Sequence, residues 1–135
     1  LAPKIPKETE CLVTAEAKSI PLIYALSLES KLPYVVLRKT YKPYMGNALS
    51  SKTFSITTNA EQSLYLDEKD QELLKGKKVV VVDDVVSTGS TLLGIEHVLT
   101  LVEAQPLAVM AIFTEGDTEK WKNALALGHL PVFRA

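Results

Sequence analysis

The sequence predicts an α/β fold with a mainly parallel, twisted sheet flanked by helices. Strand-like and helix-like segments alternate along most of the chain, and the strand-like segments are short, valine-rich runs that indicate strands buried on both faces. A chain of 135 residues is expected to form one domain, residues 1–135, and is long enough to bury a substantial core.

The bulk composition argues against several classes of protein. Hydrophobic residues make up 47% of the chain and charged residues 23%, and the net charge of -1 provides no basic surface for nucleic acid or for an anionic membrane. The single cysteine, Cys11, cannot form an internal disulfide. No apolar run approaches the ~20 residues of a membrane span, and the start lacks a signal-peptide core. We therefore expect a cytoplasmic protein without nucleic-acid or membrane partners.

The first part of the chain predicts two strands joined by a helix. Residues 1–10, with prolines among charges, have the composition of a linker or a truncated edge. Residues 11–14 (CLVT) predict a short buried strand, and residues 34–37 (YVVL) a second one. Residues 20–30 predict a helix, because Pro21 suits a first helical turn and apolar residues recur at helical spacing.

Residues 40–66 differ in kind from the rest of the chain. Pro43, Gly46 and Asn47 interrupt any regular pattern, and strand-like alternation follows in TFSITT and SLYL. We predict a mobile loop that leads into a β-ribbon. Four side chains of this segment could close over a ligand and exclude water, although a solvated hairpin without a catalytic residue fits the same pattern. These four are Tyr41, Lys42, Tyr44 and Lys52.

The remainder of the chain predicts further alternation of helices and strands. The elements are a polar helical turn at residues 67–75, strands at residues 79–82, 107–113 and 130–133, and helices at residues 90–102 and 118–127. The helix at residues 90–102 has one apolar face, which we expect to pack on the sheet. That face comprises Leu92, Leu93, Ile95, Val98, Leu99 and Val102.

The run VVVVDDVVSTGST, residues 79–91, combines two chemical features at the end of one strand. Asp83 and Asp84 can accept hydrogen bonds from vicinal hydroxyls or hold a hydrated Mg²⁺. The small residues that follow open a helix, and unpaired backbone N–H groups at a helix start bind anions such as phosphate. These residues are Ser87, Thr88, Gly89, Ser90 and Thr91. A sugar phosphate uses both features, since carboxylates suit its hydroxyls and the loop suits its phosphate.

A purely structural interpretation of the run is a strand that ends in a charged turn, with Ser or Thr capping the next helix. Two adjacent carboxylates after four valines make this interpretation the less favoured one. The chain has neither the GxxxxGK[ST] of a P-loop nor the GxGxxG of a dinucleotide site. A phosphoacceptor receiver domain also ends a strand in Asp-Asp, but that strand opens its domain, whereas Asp83 lies past the middle of this chain.

The same run resembles the phosphoribosyl-pyrophosphate (PRPP) motif of type I phosphoribosyltransferases, in which a hydrophobic strand leads to two acids, two hydrophobic residues and a TGxT loop. Other segments resemble the family in the same order. Residues 14–19 (TAEAKS) are similar to its pyrophosphate loop, most of all to the EARG version of adenine phosphoribosyltransferases. Arg38 and Lys39 resemble its RK pair, residues 40–66 stand where it has a mobile catalytic loop, and residues 112–115 (IFTE) resemble a later strand that ends near the base.

The resemblance implies a role for each matching residue. Asp83 and Asp84 would hold the ribose hydroxyls, and residues 87–91 would bind the 5′-phosphate. Mg²⁺ would be bound mainly through PRPP, with Asp83 or Asp84 as its protein contact. Pyrophosphate would be bound by Ala15, Glu16, Ala17, Lys18, Arg38 and Lys39. The residues near the base would be Val85, Val86 and Glu115. Core packing for the two valines and a capping role for the glutamate fit the sequence as well.

The activity that the resemblance implies is transfer of the phosphoribosyl group from PRPP to a purine, with adenine favoured, giving a nucleoside monophosphate and pyrophosphate in purine salvage. The alternatives are another base, such as xanthine or a pyrimidine, and a non-catalytic PRPP-binding regulator of transcription. Lys18 departs from the family, since the adenine enzymes usually have arginine there. Only ten residues precede Cys11, where adenine-type members carry the hood that reads the base, so we expect that this hood is missing from the chain or that the base is read otherwise. We also expect a homodimer, the common state in the family.

Overall fold

A five-stranded, entirely parallel sheet lies at the centre of the structure. The structure is a computed structural model, and it describes residues 1–55, 60–86, 89–116 and 119–130. The strands are β1 (Cys11–Ala15), β2 (Tyr34–Leu37), β3 (Leu49–Ser55), β4 (Ala60–Leu66), β5 (Lys78–Val86), β6 (Gln105–Glu115) and β7 (Leu125–Leu130). The α-helices are α1 (Ile20–Ser30), α2 (Gln71–Leu74) and α3 (Ser90–Leu101). The sheet has the order β2-β1-β5-β6-β7, and every neighbouring pair is parallel. The predicted α/β fold with a mainly parallel sheet is confirmed.

The sheet is buried on both faces, as its valine-rich strands predicted. In β5, Val79 and Val81 pack into a core that α3 covers, whereas Val80 and Val82 pack into a core that α1 covers. All four side chains are fully buried. Central strands of this kind place their carboxyl ends at one edge of the sheet, where ligands bind in open α/β folds.

The predicted helix face on α3 is confirmed except at one position. Leu92, Ile95, Val98 and Leu99 are buried against the sheet, and Val102 is buried directly after the helix. Leu93 is 51% exposed, so its assignment to the core face was wrong. At about 100° per residue, the buried residues fall within an arc of roughly 120°, and Leu93 points to nearly the opposite side of the helix.

The segment 40–66 contains the expected ribbon. Strands β3 and β4 pair in antiparallel register from Leu49 opposite Leu66 to Ser55 opposite Ala60. Leu66 is fully buried in the core that α3 covers, so the ribbon packs on the domain at its base. The base is also tied to the end of β2, because Arg38 and Tyr65 exchange two backbone hydrogen bonds of 3.0 and 2.8 Å.

The chain start packs on the domain. A 3-10 helix spans Ala2–Lys4, and Leu1 and Ile5 contact the core that α1 covers. The N–H of Glu10 donates to the carbonyl of Lys78 at 2.7 Å. Within the described part of the chain, none of the helices is long and apolar enough to cross a membrane.

The end of the described chain differs from the prediction. The helix expected at residues 118–127 is wrong: residues 119–124 form turns, and β7 then pairs with β6 from Met110 opposite Leu125. Edge pairing with a long neighbouring strand satisfies the backbone of β7 and outweighs the helix propensity of its alanines and leucines. The last strand therefore begins earlier than predicted, and residues 131–133 of the predicted strand lie outside the described residues.

Candidate functional site

A cleft of about 250 Å³ opens where β1, β2 and β5 end and α3 begins. Parallel strands bring their carboxyl ends to one edge, so polar residues far apart in the sequence meet there. The residues that line the cleft are Ala15, Glu16, Ala17, Lys18, Ser19, Lys39, Asp83, Asp84, Val85 and Thr91. Most of the residues predicted from the sequence as a binding site therefore share one cavity.

The loop after β1 is held in shape by two buried hydroxyl groups. The Oγ of Ser19 donates to the carbonyl of Ala15 at 3.1 Å, and it lies 2.6 Å from the Oγ1 of Thr14. Ser19 and Thr14 are almost inaccessible to solvent. These bonds close the turn between β1 and α1 and support the backbone of residues 15–18, which line the cleft. The sequence prediction missed this role of Ser19. A hydroxyl directly before a helix indicates a helix cap, but the Ser19 side chain makes no cap and bonds back to Ala15 instead.

Glu16 ties this loop to the end of β2. Its Oε1 accepts a 2.6 Å hydrogen bond from the backbone N–H of Lys39, and its Oε2 lies 3.6 Å from Nη1 of Arg38. Lys39 lines the cleft, whereas Arg38 lines a separate polar cleft together with Asp67 and Asp70. Of the two predicted cationic residues, Lys39 therefore lines the candidate site, whereas Arg38 lines the separate cleft. Glu16 acts through its side chain, which the sequence prediction did not anticipate.

For the PRPP binding that the sequence resemblance implies, removing the Glu16 tether should weaken substrate binding. We expect Glu16→Ala to raise KM for PRPP roughly tenfold with little change in kcat, because a charge-assisted hydrogen bond that orients the loop is lost. Glu16→Gln should lie between wild type and Glu16→Ala, since its amide oxygen can still accept the Lys39 N–H but no longer forms an ion pair with Arg38. Steady-state kinetics at varied PRPP concentration measures both values.

Glu10→Ala is the matched control for that experiment. Glu10 also accepts a backbone N–H, from Lys78 at 3.1 Å, and pairs with Lys77 at 3.8 Å, but it lies at the opposite end of β5. Its removal should leave KM unchanged. Equal KM values for Glu16→Ala and wild type would show that the tether has no role in substrate binding.

The two aspartates lie inside β5, which runs four residues beyond the predicted strand end. Asp83 pairs with Ala111 of β6, so the long neighbouring strand extends the ladder past the valines. Oδ1 of Asp83 accepts a 2.8 Å hydrogen bond from the backbone N–H of Asp84. Burial raises the pKa of Asp83 to about 7, and the carboxyl group of Asp84 adds to the shift, while Lys39 opposes it. Both residues are half-buried and line the cleft, and carboxyl groups can accept hydrogen bonds from hydroxyls.

The start of α3 completes the cleft on its other side. Gly89 precedes the helix in a left-handed conformation with a φ of +87°, and Thr91 in the first turn lines the cleft. The helix is twelve residues long, and the N–H groups of its first turn have no partner within the helix. Ser90 is the first helical residue. Ser87 and Thr88, predicted members of this loop, lie outside the described residues.

The residues predicted to lie near a base have three different placements. Val85 lines the cleft. Val86 is 2% exposed and belongs to the core that α3 covers, so the packing interpretation holds for it. Glu115 ends β6, which is the next strand in the sheet, and it is absent from the residues that line the cleft. Of the three, only Val85 is positioned to contact a ligand in this cavity.

The acidic pair has the right chemistry for a hard cation. Mg²⁺ prefers carboxylate, phosphate and water oxygens and is bound in many sites by one or two carboxylates plus substrate phosphates. Asp83 and Asp84, which both line the cleft, can supply such oxygens. Within residues 1–55, 60–86, 89–116 and 119–130, no three His, Cys, Asp or Glu side chains group to hold a metal by themselves. The pair therefore fits Mg²⁺ that arrives with a phosphorylated ligand.

Comparison with known families and sequences agrees with this geometry. The phosphoribosyl transferase domain family matches residues 5–129. The chain is 36% identical over 109 residues to the hypoxanthine/guanine phosphoribosyltransferase of Methanocaldococcus vulcanius, covering 81% of this chain and 56% of that protein. The enzyme of the same name from Methanocaldococcus jannaschii is 37% identical over 109 residues, with the same two coverages. The chain spans about half the length of these curated relatives.

Solved structures give the same fold. The adenine phosphoribosyltransferase of Rhodothermus marinus superposes with a TM-score of 0.76 over 95% of this chain and 73% of that chain, at 16% identity. The enzyme of the same name from Thermoanaerobacter pseudethanolicus gives a TM-score of 0.74 over 90% of this chain and 71% of that chain, at 18% identity. At these identities the match shows the fold alone. Together with the family match over residues 5–129, it establishes that the chain belongs to the phosphoribosyl transferase domain family, in its type I branch.

Proposed function

We propose that this protein transfers the phosphoribosyl group of PRPP to a purine base and releases pyrophosphate. The observation that carries the proposal is the single cleft in which two carboxylates lie between two anion-binding elements. One element is the loop of residues 15–18 with Lys39, and the other is the start of α3 at Thr91. PRPP has the matching order of groups, with pyrophosphate on one side of the ribose and phosphate on the other.

Each part of the cleft has a distinct task in the proposed reaction. The backbone of residues 15–18 and the ammonium of Lys39 bind pyrophosphate, and residues 87–91 bind the 5′-phosphate. Asp83 and Asp84 accept hydrogen bonds from the ribose hydroxyls. Mg²⁺, held by oxygens of PRPP and by the acidic pair, would neutralise charge on the leaving pyrophosphate. The protein's contribution is thus positioning and electrostatic stabilisation rather than covalent chemistry.

The bond changes follow from this placement. A ring nitrogen of the purine forms a bond to C1′ of the ribose while the bond from C1′ to the pyrophosphate oxygen breaks, and that oxygen keeps the electron pair. The proton released from the imidazole ring of the purine passes to the departing pyrophosphate or to water. Positive charge develops on the ribose as the pyrophosphate leaves. The carboxylates of Asp83 and Asp84, next to the sugar, stabilise that charge.

We propose hypoxanthine or guanine as the acceptor base. Relatives at 36% and 37% identity carry the name hypoxanthine/guanine phosphoribosyltransferase, whereas the adenine enzymes share only 16% and 18% identity with this chain. Residues 14–19 suggested adenine as the base, and the proposal replaces that preference by hypoxanthine or guanine. The requirement for Mg²⁺ and the homodimer stay predictions.

A base panel tests the proposal. Full-length protein is incubated with Mg²⁺ and PRPP plus adenine, hypoxanthine, guanine, xanthine or uracil, and pyrophosphate release is measured. We expect hypoxanthine and guanine to be turned over at least tenfold faster than adenine, since a site that donates a hydrogen bond to the 6-oxo group of these bases leaves that donor unpaired opposite the 6-amino group of adenine. Fast turnover of adenine alone would reverse the choice of base. PRPP binding without turnover of any base would replace the enzyme by a PRPP-binding regulator.

A further inference from the structure

Two residues of the connection between β6 and β7 lie against the start of α3. A Cβ atom on Gly89 would lie 3.1 Å from Cη2 of Trp121 and 3.5 Å from Nζ of Lys120. The Gly89 Cα is one carbon–carbon bond, about 1.5 Å, from that Cβ position. The Lys120 ammonium therefore lies within roughly 5 Å of the Gly89 Cα. The same ammonium lies 5.1 Å from the centroid of the Trp121 ring. The fold thus brings a cationic side chain to the helix start, from a segment distant in sequence.

The segments that form the two ends of the cleft differ in their positively charged side chains. The loop after β1 and the end of β2 contribute Lys18 and Lys39. Residues 87–91 (STGST) contain hydroxyl and backbone N–H groups but no cationic side chain. A phosphate monoester carries between one and a half and two negative charges near neutral pH, whereas a helix start offers the equivalent of about half a positive charge. A cation at this end would remove most of the imbalance.

We propose that Lys120 binds the 5′-phosphate of the sugar phosphate, together with the backbone N–H groups at the start of α3. The inference rests on the proposed function, because it assigns the phosphate group to this end of the cleft. An ammonium within roughly 5 Å of the Gly89 Cα can reach a phosphate oxygen held by the adjacent N–H groups, at a charge-assisted hydrogen-bond length of roughly 2.8 Å.

Trp121 has a supporting role in this arrangement. Its ring packs against Gly89 and against the core that α3 covers, so it fixes the position of the turn relative to the helix. The ammonium lies over the ring at 5.1 Å from its centroid, and this cation–π attraction favours the position of the lysine side chain beside Gly89. Phosphate binding then orders fewer rotatable bonds than it would with a freely moving lysine, which favours affinity.

The test compares two ligands on matched variants. Affinities for ribose 5-phosphate and for pyrophosphate with Mg²⁺ are measured by calorimetry on the full-length protein. Lys120→Gln should weaken ribose 5-phosphate binding roughly tenfold, at the low end for a hydrogen bond between charged groups, because Lys120 is exposed. Its pyrophosphate affinity should not change. Lys120→Arg should keep most of the ribose 5-phosphate affinity, since the charge is retained.

Lys122→Gln is the control on the same turn. Lys122 is 65% exposed in its side chain and pairs with Glu119 at 3.5 Å. Its substitution removes one positive charge from the turn and should leave both affinities unchanged. An equal loss with Lys122→Gln would mean that general surface charge, rather than Lys120 itself, attracts the phosphate, and would overturn the inference.

A second measurement uses the unaltered protein and is independent of how the variants fold. Ribose 5-phosphate should protect Lys120 from reductive methylation while Lys122 stays reactive. Equal methylation of Lys120 with and without the ligand, or equal affinities of wild type and Lys120→Gln for ribose 5-phosphate, overturns the role of Lys120 and leaves the proposed function standing. Absence of ribose 5-phosphate binding in wild type, together with no turnover in the base panel, overturns both.

Discussion

Replacing Asp83 by asparagine should lower kcat/KM for PRPP by roughly 10²–10³-fold, the loss seen when a preorganised group that stabilises a developing charge is removed. Positive charge develops on the ribose in the proposed reaction, and Asp83 lies on the cleft wall where the ribose would bind. Asparagine is nearly the same size, and its Oδ1 can still accept the N–H of Asp84. Steady-state kinetics at pH 8 is the measurement, because a pKa of about 7 leaves wild-type Asp83 ionised there.

The same substitution should make the unliganded protein more stable at pH 8. The pKa of Asp83 is raised from 3.8 to about 7 in the folded protein, so the folded state holds a proton that the unfolded chain releases. The free energy of unfolding of wild type therefore falls as the pH rises from about 4 to about 7. Asp83→Asn avoids that loss, and we expect a gain on the order of 2 kcal/mol at pH 8 that vanishes near pH 4. Urea unfolding at both pH values measures it.

Asp70→Asn is the matched control for Asp83→Asn. Burial also raises the pKa of Asp70, but this residue lies in the separate cleft with Arg38 and Asp67. Its substitution should likewise stabilise the protein above neutral pH and should leave kcat/KM unchanged. If Asp83→Asn kept full activity, or lost activity only to the extent that Asp70→Asn does, the ribose role of Asp83 would be refuted.

A second large effect is expected at Gly89. Its φ of +87° is costly for any residue with a Cβ, by roughly 1–2 kcal/mol, and an alanine Cβ would lie only 3.1 Å from Cη2 of Trp121. Gly89→Ala should therefore shift both the helix start and the Trp121 ring. We expect the free energy of unfolding to fall by about 2–3 kcal/mol and the affinity for ribose 5-phosphate to fall at least tenfold. Chemical unfolding and calorimetry give the two values.

Gly76→Ala is the control that separates two destabilising effects of Gly89→Ala. One is the positive φ of the backbone, and the other is the close contact of the new Cβ with Trp121. Gly76 has a similar φ of +70°, but a Cβ there would meet no atom within 4 Å. Its substitution should lower stability by about 1 kcal/mol and leave ligand affinity intact. A Gly89→Ala protein with the stability and affinity of Gly76→Ala would show that the contact between Gly89 and Trp121 does not organise the phosphate end of the cleft.

The parts of the fold that could be predicted from the sequence are those with strong local patterns. The four valines of β5 and all of the predicted α3 face except Leu93 are buried, as their patterns predicted. A valine run in a central strand packs on both faces of the sheet, and an apolar stripe on a helix packs against one of them. The helix predicted at residues 118–127 was wrong because pairing with β6 decided the structure of Leu125–Leu130. That pairing depends on the length of a neighbouring strand, which no local pattern contains.

The candidate site shows the same division. Asp83, Asp84 and Thr91 lie in one contiguous motif, and the structure places all three in the cleft. The contacts of Glu16 with Lys39 and of Trp121 with Gly89 join segments that are distant in the chain. Such pairs meet only because of the order of strands in the sheet and the path of the connections. The sequence therefore predicted the residues of the motif but not the distant residues that contact and position them.

A crystal structure of the protein with Mg²⁺ and PRPP would test the placement of this substrate most directly. The 5′-phosphate should lie at the N–H groups of residues 89–91, within hydrogen-bonding reach of Lys120. The ribose hydroxyls should contact Asp83 and Asp84, and the pyrophosphate should lie between residues 15–18 and Lys39. PRPP bound in the reverse orientation, or in the cleft lined by Arg38 and Asp70, would contradict the proposed site.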